Sequence, residues 1–198
     1  MEGNNLIKKG VVVAVILLFI SVSVIPSTGT TVVKKSTMPT FYDGNTLYVG
    51  GSGPNNYTKI QDAIDNASDG DTVIVYDDSS PYYENVVVNV SVNLIGEDKN
   101  TTIIDGKNMD NVITINHENT WIEGFSIRNS GDDSYLTNAG INIFSNNNTI
   151  KNCNFYNNYW EIWIQRYISN NNTVKNNNFH ENTYGILILG KEHKIINN

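Results

Sequence analysis

Cleavage of a sugar bond needs two carboxylates roughly 5 to 9.5 Å apart, or a calcium cluster beside a basic residue. The adjacent acids that read as exposed are Asp132 and Asp133, in a stretch, Ser130–Thr137, that lengthens one repeat. A loop lengthened on a rigid scaffold is where function usually sits. That loop holds no Lys or Arg, so Arg128, just before it, is the candidate base or substrate clamp. A solvated acidic turn accounts for the same residues without chemistry. A second grouping suits binding. Glu161 and Trp163 share one parity of a strand-like segment and are expected to project together, with Gly140 and Gly185 at the matching places in the flanking repeats. An indole stacks on a sugar ring, and a carboxylate accepts bonds from its hydroxyls. Tyr184, Tyr156, Tyr159 and Trp160 lie close in the repeat, Trp160 with the inward parity. A lateral interface between chains is the bland reading of that face. Metal chemistry has little material: His117, His180, His193 and Cys153 share no register, and one cysteine excludes an internal disulfide.

A repeat must position these residues. Thr149-Ile150-Lys151-Asn152-Cys153-Asn154-Phe155 matches Thr173-Val174-Lys175-Asn176-Asn177-Asn178-Phe179, 24 residues on. Ile122 aligns with Ile150 at an offset of 28, and Ile195 with Val174 at 21. A second motif precedes each anchor: Ile113-Thr114-Ile115, Ile141-Asn142-Ile143, Ile162-Trp163-Ile164 and Ile186-Leu187-Ile188. Short β-branched runs at such a period mean a solenoid. The Leu-x-x-Leu-x-Leu frame and the helical half-repeat of leucine-rich repeats are both missing. The expected fold is therefore all-β, a single-stranded parallel β-helix of about five coils over residues 45–198. Ile143, Ile164 and Ile188 should stack inside it, with Asn142 on the outer parity and tolerant of truncation. About 33 residues are Asn, a type that tolerates the left-handed turn conformation and bonds its own backbone. Asn152, Asn176 and Asn197 align and are expected to form a hydrogen-bonded ladder. Glu123 over Lys151 and Lys175 reads as a charge column.

The first half differs. Thr58–Ala67 has helical spacing at Ile60, Ala63, Ile64 and Ala67, and Thr58 with Gln61 has the spacing of a capping box. This helix should cover the open first coil. Residues 1–29 read as an export signal or an N-terminal membrane anchor, with Lys8-Lys9 before the apolar run Val11–Ile25. Either reading places the remainder outside the cytoplasm, secreted or on the cell surface, and residues 30–44 read as a linker. Six Asn-x-Ser/Thr sequons occur, at Asn56, Asn66, Asn89, Asn100, Asn147 and Asn171, where composition alone gives about five. A net charge of −7 with two arginines argues against a nucleic-acid partner.

Tyr57–Ile64, Asp69-Gly70-Asp71-Thr72-Val73, Tyr82–Val86 and Leu94–Gly106, in that order, resemble the opening of exported pectin-lyase-like right-handed β-helix proteins. The Asn-rich coils that follow resemble the NosD-like exported and surface branch. That resemblance covers residues 45–198 and implies a right-handed coil. It does not select an activity, because the scaffold carries lyases, hydrolases, epimerases, adhesins and spacers. Nothing in the sequence resembles the Asp and His-Gly motifs of polygalacturonases. The expectation is an exported surface scaffold with a carbohydrate-contacting face, needing no cofactor and no metal. A polysaccharide lyase or glycoside hydrolase is the alternative, and a copper-maturation accessory protein, implied by the NosD-like branch, is third. The repeat runs to Asn198 without a polar cap, so the solenoid is expected to belong to a longer protein.

Overall fold

The computed structural model describes residues 44–132, 138–165 and 169–198. The leader expected over 1–29, nearly all of the linker, and Asp133 lie outside the described residues.

Three parallel sheets run along the chain. The first joins β1 (Thr46–Val49), β2 (Thr72–Val75), β4 (Asn93–Gly96), β7 (Trp121–Glu123), β10 (Thr149–Lys151), β13 (Thr173–Lys175) and β16 (Lys194–Ile196) in that order. The second joins β5 (Ile103–Asp105), β8 (Ser126–Arg128), β11 (Asn154–Tyr156) and β14 (Asn178–His180). The third joins β3 (Val86–Val88), β6 (Ile113–Ile115), β9 (Ala139–Ile143), β12 (Trp160–Ile164) and β15 (Leu187–Ile188). Each strand pairs with its equivalent one coil away. The seven-stranded sheet therefore marks about six turns of a β-solenoid, one more than the repeats suggest.

The aligned anchors sit where the repeat puts them. Ile122 pairs with Ile150, Ile150 with Val174, and Val174 with Ile195. On the third sheet Ile113, Ile141 and Ile162 form one inner column, and Ile115, Ile143, Ile164 and Ile188 the other. All but Ile188 are fully buried. Burial of an Ile-sized side chain is worth about 1.5–3 kcal/mol, so these columns contribute to the cohesion between coils.

The corners explain the asparagines. Before the first sheet, Asn119, Asn147, Asn171 and Glu192 have φ of 60, 60, 53 and 59°. After it, Gly124, Asn152, Asn176 and Asn197 have φ of 85, 50, 56 and 49°. After the second sheet, Asn129, Asn157 and Glu181 repeat the pattern at 57, 56 and 55°. A left-handed residue bends the chain there, and Asn accepts that conformation at lower cost than most side chains.

Asn152, Asn176 and Asn197 are thus turn formers, and the ladder lies one residue further on. Asn172 Oδ1 accepts the backbone N–H of Asn148 at 2.8 Å, Asn177 Oδ1 that of Cys153 at 3.0 Å, and Asn182 Oδ1 that of Asn158 at 3.0 Å. The residue after a left-handed turn points inward and leaves its N–H outside the strand ladder, so the next coil supplies the acceptor. His193 takes this place below Asn172, accepting its N–H at Nδ1 (3.2 Å), while Nε2 faces the Leu189 carbonyl at 3.3 Å.

The helix α1 spans Ile60–Asp65 and buries Ile60, Ala63 and Ile64 against β1, β2 and β3. It begins two residues later and ends two earlier than the expected Thr58–Ala67, and the Thr58–Gln61 capping box does not form. Instead the Glu84 carboxylate accepts the N–H groups of Ile60 and Gln61, both at 2.9 Å. Gln61 turns to the next strand, its amide bridging the N–H and C=O of Val87 at 2.7 and 3.1 Å. Among the described residues no helix is long and apolar enough to cross a membrane.

Candidate functional site

The outer surfaces of the first and second sheets each carry a column of polar or aromatic side chains, whereas that of the third runs Val87, Thr114, Asn142, Trp163 and Leu187. On the second sheet Asp105, Arg128, Tyr156 and His180 align. Arg128 Nε donates to Asp105 Oδ2 at 2.8 Å and Nη1 to Tyr156 Oη at 3.2 Å, while His180 stacks on Tyr156 at 5.1 Å. Burial works against the Arg128 charge, but the Tyr156 and Asp105 bonds outweigh it and raise the pKa. Asp105 is 4% exposed and needs that cation beside it. Arg128 is therefore engaged within its own face. Asp132 is exposed at the lip of the next corner. On the first sheet Lys151 Nζ pairs with Glu123 Oε2 at 2.9 Å and lies 4.6 Å from the Trp121 ring centroid, as the expected charge column requires.

The third sheet carries the predicted binding face. Trp163 pairs with Asn142 on one side and Leu187 on the other. Asn142 is only 3% exposed and accepts from Gln165 Nε2 at 3.0 Å, so the outer parity does not leave it free to change. Glu161 does not project freely beside the indole. Its Oε1 takes the Asn182 amide at 3.3 Å, and burial raises its pKa. Gly140 is itself buried: a Cβ there would press on Glu161 O and Phe155 Cδ1 at 2.8 and 2.9 Å. Only Gly185 leaves space, its nearest atom being Glu161 Oε2 at 3.8 Å. The aromatic rings pack on each other. Trp160 stacks on Tyr184 at 4.6 Å and lies 6.4 Å from Trp163, and Tyr184 meets Tyr159 edge-on at 5.1 Å. The Trp163 indole N–H is buried without a hydrogen-bond partner among the described residues. Tyr184, 46% exposed, presents the outer ring of this cluster.

A cleft that the repeats do not announce lies beside β1 and β2. Its volume is about 670 Å³, and Tyr48, Tyr76, Asn56, Asp77, Asp78 and Glu97 line it together with the Gly51–Pro54 loop. The Tyr48 and Tyr76 rings stack, with centroids 6.1 Å apart and planes 12° from parallel. Asp78 Oδ1 accepts the Gly51 N–H at 2.8 Å and Asn56 Nδ2 donates to Gly50 O at 2.6 Å, which fixes the loop forming one rim. Gly50 and Gly51 have φ of 73 and 71°, and a Cβ on Gly50 would strike the Tyr82 hydroxyl. Thr101 Oγ1 donates to Asp77 Oδ2 at 2.6 Å, and the Asp77 N–H donates to Glu97 Oε2 at 3.2 Å. Burial, then Tyr48 and the Glu97 and Asp78 carboxylates, raise the Tyr76 pKa. The available signal was Asp77-Asp78, as adjacent in sequence as Asp132-Asp133, following Tyr76, the first residue after β2. Among the described residues no group of three His, Cys, Asp or Glu side chains is placed to hold a metal ion.

No protein-family model matches the chain, and no solved structure matches it. Over 98 residues it is 39% identical to a cell surface glycoprotein of Methanothermus fervidus, covering 48% of this chain and 16% of that protein. The chain thus spans about a sixth of the length of that relative.

Proposed function

We propose that this chain is a rigid β-solenoid module displayed outside the cytoplasm, on the cell surface, and that its primary role is to space or support other components of a surface assembly. The observation that carries this reading is the uninterrupted ladder: inner isoleucine columns and corner asparagine bonds repeat from coil to coil, with the outer polar columns largely paired among themselves. About six coil steps at about 4.8 Å give a ladder roughly 30 Å long. Among the described residues Arg128 is bound to Asp105 and Tyr156, and Glu161 to Asn182, so both side chains are engaged within their own faces. Similarity to a cell surface glycoprotein supports the location. The test is protease shaving of intact cells that make the full chain, followed by mass spectrometry. Peptides from residues 44–198 released while a cytoplasmic marker stays intact are the expected result. Peptides recovered only after lysis would overturn the reading.

A further inference from the structure

The cleft beside β1 and β2 has a composition that the spacer role does not need. Its ten lining residues include two tyrosines and three carboxylates and no cation. Among the described residues no hydrogen bond reaches Asp77 Oδ1, Asp78 Oδ2 or Glu97 Oε1; the bonds to these groups use the other oxygen of each carboxylate. Each group thus keeps an unused acceptor. The three carboxylates are not placed to hold a metal ion, so their charge is spread around the rim rather than focused on a point. The two tyrosines stack on each other at one side of the cleft, and Tyr48, 39% exposed, supplies an aromatic wall. The volume, about 670 Å³, falls within the range of small-molecule sites.

A bare metal ion uses neither a wide spread of charge nor an aromatic wall. A neutral sugar uses the wall and leaves the excess negative charge unanswered. A ring that carries a protonated amine uses both, stacking on the tyrosine face while its ammonium meets the carboxylates. We propose that the Tyr48–Tyr76 cleft is a binding site for a protonated amino sugar, of the hexosamine class. The ring lies against Tyr48, the ammonium faces Glu97 and Asp77, and Asn56 and the fixed Gly51–Pro54 loop border the hydroxyl edge. This site is separate from the Glu161–Trp163–Tyr184 face, and it is testable on the purified chain whatever the chain's location.

The test is a titration of the full folded chain with glucosamine, N-acetylglucosamine and methyl glucoside, followed by NMR of the tyrosine ring signals. Acetylation keeps the ring and removes the charge. Glucosamine is expected to bind about tenfold more tightly than either neutral sugar, with the preference shrinking as salt is added. Glu97→Gln keeps an oxygen for the Asp77 N–H and should weaken glucosamine binding roughly threefold to fivefold without changing the far-UV spectrum. Tyr48→Ala should weaken all three sugars. Equal affinity for the three sugars would overturn the proposal in favour of a neutral-glycan site. Saturable binding of calcium alone, or no perturbation of Tyr48 and Tyr76 at tens of millimolar glucosamine, would also overturn it.

Discussion

Truncating Asn172 to alanine isolates the contribution of the corner ladder. Asn172 is fully buried, and its side chain serves three groups in the coil above. Oδ1 accepts from the Asn148 N–H at 2.8 Å and from Asn148 Nδ2 at 3.0 Å, while Nδ2 donates to Ser145 O at 3.0 Å. In Asn172→Ala the Asn148 side-chain amide keeps its bond to Ser145 Oγ at 2.9 Å, but the Asn148 N–H and the Ser145 carbonyl lose these partners. Leaving a buried polar group unpaired costs about 1–3 kcal/mol, so two of them cost about 2–6. The expected loss is about 3–5 kcal/mol, or a fall in Tm of about 6–20 °C for a chain of this size. Asn171 is the control. It is exposed, has φ of 53°, and makes one surface bond to Asn147 at 2.8 Å. Asn171→Gly keeps the left-handed turn and should cost under about 1 kcal/mol. Urea unfolding followed by far-UV circular dichroism measures both variants, and equal slopes would show that the same surface is exposed in each. A loss below about 1 kcal/mol for Asn172→Ala, or one no larger than for Asn171→Gly, would refute the reasoning.

Ile164→Ala removes a fully buried side chain between Ile143 and Ile188 and should cost about 2–5 kcal/mol in the same assay; a change below about 1 would contradict the stacked register. Burial raises the Glu161 pKa, so this carboxyl favours folding only while protonated, and that contribution is lost as pH rises through the folded value. Glu161→Gln, which keeps the acceptor for Asn182, should therefore raise Tm relative to wild type near neutral pH and gain less at about pH 3; an equal difference at both would oppose this. The Cys153 thiol is fully buried and pushed up to about 12, so maleimide should label it only in denaturant; rapid labelling of the native chain would place it elsewhere.

The strand register was legible because Ile-x-Ile alternation specifies both period and face: a one-residue slip would turn every isoleucine outward. The corners were harder to read. Asn147-Asn148, Asn171-Asn172, Asn176-Asn177 and Asn197-Asn198 are doublets in which one residue turns the chain and the next bonds the neighbouring coil. Residue type is the same in both places, so only backbone geometry separates them, and the ladder reads one position early. The start of α1 was hidden because its cap, Glu84, lies 24 residues away from Ile60. Glu161 has the outward parity of its strand, yet Asn182 at the adjacent corner draws its carboxylate back. The Tyr48–Tyr76 cleft escaped notice because it is assembled at the ends of three strands, β1, β2 and β4, and from the loops that follow them, where no period applies.

The hydrogen bonds between coils point along the ladder, and this sets how the chain answers a pull. Tension applied along that direction reaches the coils in series, so they separate in succession. The force needed is set by the weakest junction and does not grow with the number of coils. A sideways load instead shears many bonds together. Such a module is stiff when bent or compressed and peels when stretched, so lengthening it would extend its reach without raising its breaking force.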